Sequence, residues 1–587
     1  MKSGGRFLTT PVGTEEIFAK ENFSEEQRDF LELAREFALE EIYAQRDEIE
    51  KYNPELMRSL MRKAGEIGFL GIDVPEEYGG LSLDKVTSAI LTESIGLGTS
   101  ASFGVTIAAQ TSIGTLPIVF FGTEEQKRKY LPKLVTAEHI SAYCLTEPTA
   151  GSDAMSIRTT ATLSEDKTHY ILNGTKQFIT NGGWADVYIV FAKIDGEKFT
   201  AFIVERDTPG VQPGKEEYKL GQKGASTTSI TFENVAVPVE NVLHQIGKGA
   251  EVAFNSLNIG RFKLGAADLG GCKAAIKESV AYALERWQFG QPIAHFDALK
   301  RKFAEMVIHT FAVESIIYRT GGLLDHSISE VAPDSPNYFS EVANAIENYA
   351  IECSICKVYS SESLWKVADD GLQSFGGYGF IEDYPMARLL RDARIERLYE
   401  GTNEINRQVI TGYFLKRTIL EQLPMRDAVK KINDIAAGKL PHFSGNLAPQ
   451  LQALEIAKSM GVLLFHHALV KYGQDLMNYQ QLGEILSDIF IQLYVMDTVL
   501  SRVVQHGYDK DEDDVRVKIA KTLCAEQIPL IALNVERGLQ NILSGKTLDE
   551  SLKTLQQLRN LLPNQTHTFR WKADIAEELY RHGEYWL

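Results

Sequence analysis

Cysteine is scarce in this sequence: there are five among 587 residues, namely Cys144, Cys272, Cys353, Cys356 and Cys524. An odd, scattered set does not make a disulfide framework, and a reducing compartment fits it best. Cys353 and Cys356 form a single C-x-x-C within a helical pattern and have no second pair. That points to packing rather than to a metal or redox centre. Positive charge is also in deficit, and a net charge of −18 argues against a nucleic-acid-binding surface. The most apolar C-terminal stretch, residues 485–504, contains Asp488, Asp497 and Arg502 and reads as a buried helix rather than a membrane span. Residues 1–20 have neither the apolar core of a signal peptide nor an Arg-rich, acid-poor composition. A cytoplasmic location is therefore expected, or the mitochondrial matrix for a chain that has lost a transit peptide. The Gly-rich turns do not form a G-x-G-x-x-G after a strand, so a Rossmann domain is not read.

The bulk composition, 44% hydrophobic and 24% charged, is that of a globular chain, and the length calls for several domains. Ser24-Glu25-Glu26-Gln27 is a capping box, followed by Phe30, Leu31, Leu33, Ala34, Phe37 and Ala38 at helical spacing. Thr123-Glu124-Glu125-Gln126 starts another helix in the same way. Between them, residues 102–118 read as one helix rich in small residues (Gly104, Ala108, Ala109, Gly114), which suits close helix packing or the wall of a deep channel. From about 140 to 240 the pattern becomes short β-rich runs separated by Asn173-Gly174 and Asp195-Gly196, which predicts a compact antiparallel sheet or barrel. Residues 250–415 fit a four-helix bundle, and amphipathic runs at 451–471, 485–504 and 515–542 continue the helices. His466-His467 reads as a helix face, and 438–449 as a linker or lipid-contact segment. The expected fold is mainly α with a central β domain. It divides into an N-terminal helical domain (20–138), a middle β domain (139–245), a four-helix bundle (246–415) and a further helical domain (416–587).

The segment that gives this plan a chemistry is Tyr143-Cys144-Leu145-Thr146-Glu147-Pro148-Thr149-Ala150-Gly151-Ser152-Asp153. It offers hydroxyls, free backbone N–H groups and a side-chain-free Gly151 on a tight turn, which suits an anionic ring edge or a pyrophosphate. Three more segments follow: Phe178-Ile179-Thr180-Asn181-Gly182-Gly183, Arg286-Trp287-Gln288-Phe289-Gly290, and the stretch from Gln373 to Glu404. Together, and in this order, they resemble the acyl-CoA dehydrogenase family over about residues 20–415. The remainder is similar to the extension of its very-long-chain branch.

The resemblance implies FAD, an acyl-CoA substrate and α,β-dehydrogenation of the thioester in fatty acid β-oxidation. It implies that Glu400, in Arg397-Leu398-Tyr399-Glu400-Gly401-Thr402-Asn403-Glu404-Ile405, is the base, with Leu398 and Tyr399 drying its carboxylate. Gly260 stands where other members carry their base, which leaves Glu400 unopposed. The implied flavin contacts are Tyr143, Leu145, Thr146, Gly151, Ser152, Phe178, Ile179, Thr180, Arg286, Gln288, Phe289, Phe296, Gln373, Phe375, Gly376, Gly377, Thr402 and Glu404. Those to the thioester are Ser152, Asn258, Arg261, Tyr399 and Gly401. No metal is implied. The resemblance further implies an electron-transfer flavoprotein as acceptor, a homodimer that shares each flavin across its interface, and peripheral membrane contact. Val105 and Ala109 stand where medium-chain members place larger polar residues, which favours a long acyl chain. Two other readings remain open: an acyl-CoA oxidase that uses oxygen, and a dehydrogenase-like assembly or binding protein.

Overall fold

The computed structural model describes residues 4–564 and 567–587. Ser24 Oγ accepts from the Gln27 amide and Gln27 Oε1 from the Ser24 amide, each at 3.1 Å, so the capping box opens the helix Glu25–Phe37 as read. Thr123 and Gln126 repeat the device for Glu124–Val135. Between them lie the helices Pro54–Ile67 and Lys85–Gly96. The helix expected over 102–118 is broken. Ala101–Ala109 is α-helical, Gln110–Gly114 widens into a π-turn, and Leu116–Phe121 resumes. The buried Gln110 amide is the cause in view: it donates to the carbonyls of Leu134 and His139 and accepts from Ser141 N and Oγ. Such widened turns recur at functional sites.

The middle domain is one eight-stranded sheet: β1 (Ser141–Cys144), β2 (Thr160–Leu163), β3 (His169–Thr180), β4 (Val187–Ile194), β5 (Lys198–Glu205), β6 (Val211–Pro213), β7 (Thr227–Pro238) and β8 (Val242–Leu243). Most pairings are antiparallel, as expected. Two are parallel, which makes the sheet mixed. β1 lies beside Val187–Val190 and β2 beside Lys193–Ile194, both along one edge of β4. The chain crosses this edge twice in one direction, and each pass is too short to fill it. The loop 145–159 between the passes carries the Gly151 turn. β3 is bulged between Lys176 and Ile179. There Phe178 takes φ +59° and its ring is turned outward, 63% exposed.

Four long helices, Gly249–Glu285, Asp297–Ser329, Ala350–Phe375 and Asn403–Ile419, form the expected bundle. Six more, from Met425–Ala436 to Thr568–His582, continue to the C-terminus. Residues 485–504 lie in the helix Gln480–Gln505, where Asp497 and Arg502 are buried in ion pairs and the half-buried Asp488 pairs with Arg407. Arg502 meets Glu314 and Glu21, each at 2.9 Å, while Asp497 meets Arg319 at 2.7 Å and Lys458 at 2.8 Å. The segment before residue 24 crosses the same seam, where the Val12 amide donates to Glu455 and Lys458 donates to the Thr10 carbonyl. The loop 438–449 is docked, with Leu447 buried and Leu440 and Phe443 against the core, so its apolar residues are not free for lipid. All five cysteines are buried and unpaired.

Asp497→Leu would leave Arg319 and Lys458 buried without their shared counter-ion, a loss of about 3–5 kcal/mol. Thermal unfolding followed by circular dichroism should show a lower midpoint for this variant. An unchanged midpoint would mean that the seam does not depend on the pair.

Candidate active site

The helix Gly249–Glu285 runs through the molecule and is buried for most of its length. A side chain on Gly260 would begin 2.8 Å from Glu400 Oε2. The two positions that the resemblance offers for a base therefore converge on one point, and only a bare backbone at 260 leaves room for a carboxylate from 400. Glu400 itself takes φ +56° and Gly401 φ +79°. A left-handed non-glycine residue is strained by roughly 1–3 kcal/mol and persists only where its surroundings hold it. Here they do. Arg261 Nε and Asn406 Nδ2 donate to the Glu400 carbonyl, and Lys357 Nζ and Asn406 Nδ2 donate to that of Gly401.

Glu400 Oε2 is buried and has no hydrogen-bond partner among the described residues. Burial pushes this carboxyl up to about 7, against the opposite pull of Arg261 and Lys357. The drying does not come from Leu398, which is 46% exposed, a correction to the sequence reading. Tyr399 lines the site as expected, and its hydroxyl donates to Glu396 at 2.6 Å. The carboxylate opens onto a narrow cavity of about 140 Å³. Its walls include Gly104, Val105, Ala108 and Ala109 from the small-residue helix, and Thr180 at the end of β3.

Arg261 and Asn258 are buried, not on a helix surface, and they bond to each other at 3.2 Å. Tyr143 and Leu145 are buried at the start of the Gly151 turn, whereas Gly151 and Ser152 form its exposed crest. The turn hangs on a pair that the sequence reading did not single out. Buried Glu147 accepts from Lys176 at 2.7 Å and from the Arg158 and Thr159 amides, and Lys176 also reaches the Leu145 carbonyl. The Thr146 carbonyl accepts from the Gln177 amide. The Ile179 side chain lies in the sheet core, 2% exposed. Thr402 caps the helix Asn403–Ile419 through Ile405, and Glu404 stands exposed in its first turn, a favourable place for an acid.

The other implied flavin residues gather elsewhere. Arg286, Gln288, Gln373, Phe375, Gly376 and Gly377 line an open hollow of about 410 Å³ that shares no residue with the first cavity. Tyr282 adds a ring stacked on Phe375, with centroids 4.1 Å apart and planes 13° apart. It precedes Arg286 by one helical turn, a spacing that could have flagged it. A hairpin of β9 (Trp287–Gln288) and β10 (Gln291–Pro292) carries Phe289 at its tip, 93% exposed and edge-on to Phe296. These residues fit a dinucleotide: there is an arginine for a pyrophosphate, and a side chain begun at Gly376 or Gly377 would meet nothing within 4 Å.

A helical and β scaffold that sets a buried, raised carboxyl beside a narrow cavity, with a second hollow that fits a dinucleotide, suits a flavin-dependent oxidoreductase acting on a carbon chain. Sequence patterns of three domains of one family match in order: acyl-CoA dehydrogenase N-terminal domain over residues 24–138, middle domain over 142–235 and C-terminal domain over 247–413. The chain is 38% identical to a probable acyl-CoA dehydrogenase of Bacillus subtilis (strain 168), covering 100% of this chain and 98% of that one. It is 33% identical to the mitochondrial very long-chain specific acyl-CoA dehydrogenase of Macaca fascicularis, over 94% of this chain and 85% of the other. The structure resembles that of an acyl-CoA dehydrogenase complexed with FAD from Bacillus anthracis, with a TM-score of 0.96 and 39% identity over 100% of both chains. The chain belongs to the acyl-CoA dehydrogenase family, FAD-dependent enzymes that dehydrogenate fatty acyl-CoA.

Gly260→Ala would force the Glu400 carboxylate to move by a few tenths of an ångström or more. Because misplacement of about 1 Å costs about 100-fold in rate, kcat should fall by roughly 10–100-fold while FAD content and melting temperature hold. A kcat within twofold of the parent would show that the carboxylate does not work at this contact.

Proposed function

We propose that the protein oxidises long-chain acyl-CoA thioesters to the trans-2-enoyl products, with Glu400 as the base that takes the α-proton. The observation that carries this reading is the carboxyl oxygen Oε2 of Glu400, buried and unpartnered where the apolar cavity meets the bare backbone of Gly260. A base placed there needs no partner broken before it receives a proton. Its raised pKa brings it close to neutrality, where general bases work best. Arg261, Lys357 and Asn406 fix the loop so that the carboxylate is held before the substrate arrives. Bound FAD supplies the acceptor for the β-hydrogen and its electron pair. Tyr143, Leu145, Thr146 and the Gly151–Ser152 crest would hold its ring side, and Phe178 would cover a face. The small residues Gly104, Val105, Ala108 and Ala109 leave depth for a long chain. The very-long-chain relative supports the same length class.

The second hollow supports a homodimer. Arg286, Gln288, Phe289, Gln373, Phe375, Gly376 and Gly377 would reach the FAD of a second copy, and exposed Phe289 would be covered there. An electron-transfer flavoprotein is proposed as the acceptor on the family resemblance.

Glu400→Gln should retain FAD and bind palmitoyl-CoA, yet lower kcat by about 10²–10⁴-fold, the range for removal of a general base. Turnover close to that of the parent would remove Glu400 from this role. The proton count fixes the sign of the pH effect. Glu400 accepts a proton only when ionised, so kcat/KM of the parent should rise with pH and level off above about 7. A profile that is flat from pH 5 to 8 would contradict the assignment.

A further inference from the structure

Three carboxyl groups besides Glu400 line the same cavity: Asp268, Asp392 and Glu396. The proton transfer proposed for Glu400 uses none of them, yet they are 1%, 2% and 7% exposed. Glu396 is satisfied, accepting from the Tyr399 hydroxyl at 2.6 Å and from Gln222 Nε2 at 3.1 Å. Asp392 Oδ1 accepts from the Gln222 amide, but its Oδ2 is buried with no partner among the described residues. Asp268 Oδ2 is likewise buried and unpartnered. The Lys357 amine, the cation acting on Asp268, already donates to the Gly401 carbonyl and to Asn403.

Asp268 stands eight residues beyond Gly260 on the long helix, on a wall that also carries the apolar Leu264 and Ala267. The charged groups acting on Asp268 are Glu396 and Lys357, whereas those acting on Asp392 are Glu50, Arg388 and Arg391, so the two acids are not a pair. Burial holds Asp268 well above the ordinary carboxyl range and pushes Asp392 up to about 7. A neutral carboxylic acid both donates and accepts hydrogen bonds. A plain hydrocarbon chain in this cavity would leave Asp268 Oδ2 desolvated and unpaired, which is unfavourable. A hydroxyl on the chain also donates and accepts, and it would satisfy this group.

We propose that Asp268 forms a subsite for a hydroxyl group carried in mid-chain, so that the preferred substrates are hydroxylated long-chain acyl-CoA thioesters. The proposal rests on the acyl-CoA dehydrogenase reading of this cavity. Eight residues of helix rise about 12 Å. An extended chain advances roughly 1.3 Å per carbon from its bond lengths and angles, so the hydroxyl belongs about nine carbons beyond the α-carbon.

The test uses the FAD-loaded full-length protein, palmitoyl-CoA and the palmitoyl-CoA analogue hydroxylated at that position, and reads flavin bleaching and kcat/KM for each. The parent should favour the hydroxylated thioester by about tenfold or more, because a site built to bond a hydroxyl discriminates against the analogue without one. Asp268→Leu should invert the ratio, and Asp268→Asn, which keeps a donor and an acceptor, should retain part of it. FAD content and melting temperature of both variants check the fold. Equal kcat/KM for the two thioesters in the parent would overturn the subsite and leave water as the partner of this acid. So would a ratio that Asp268→Leu and Asp268→Asn both leave unmoved. Failure of both thioesters to bleach the flavin would instead overturn the dehydrogenase reading itself.

Discussion

A carboxylate can remain dry and unpaired in a protein only if its surroundings prevent both water and neighbouring donors from reaching it. Glu400 meets that condition because the backbone at Gly260 carries no side chain and the strained turn at Glu400–Gly401 is tied down by its carbonyls rather than by the carboxyl. Arg261, Lys357 and Asn406 donate to main-chain oxygens of this turn, and Arg261 and Lys357 donate also to the side chains of Asn258 and Asn403. They hold the loop in place without forming a short ion pair with the carboxylate, which would depress its pKa and quench it as a base.

The rest of the fold serves this arrangement. The long helix Gly249–Glu285 supplies Gly260 and Arg261, and the bundle supplies Lys357 and the Glu400 loop. The mixed sheet brings Thr180 and Tyr143 to the same region, and the buried Glu147–Lys176 pair anchors the Gly151 turn that follows Tyr143. Further along the chain, buried charges recur where the later helices meet the bundle. The Asp497 and Arg502 networks join helices far apart in sequence and include the segment before residue 24. Such pairs lose much of their stabilisation if one partner is missing, so they specify how these helices sit as much as how tightly they bind.

Much of this was legible in the sequence because local chemistry determined it. The capping boxes at Ser24 and Thr123, the bundle helices and the runs around Tyr143, Arg286 and Glu400 each rest on neighbouring residues. What escaped notice depends on distant partners. The π-turn at Gln110 arises from carbonyls at Leu134 and His139, and the parallel strands from a loop that returns to one edge of β4. Leu398 looked like a cover for the carboxylate because it is apolar and adjacent, but the left-handed turn at Glu400 sends the two side chains apart. Asp268, Asp392 and Glu396 look like ordinary helix-surface acids in one dimension, and only the fold shows that they are buried in the wall of the cavity that Glu400 lines.

The role proposed for Glu400 is to take a proton from the α-carbon of a bound thioester. Exchange of that proton with solvent tests this role apart from hydride transfer. The FAD-loaded protein would be incubated in deuterium oxide with a long-chain acyl-CoA analogue that has no removable β-hydrogen, and α-deuteration would be read by mass spectrometry. The parent should deuterate the α-carbon, and Glu400→Gln should show none above the solvent background. Equal α-deuteration by both proteins would contradict this role.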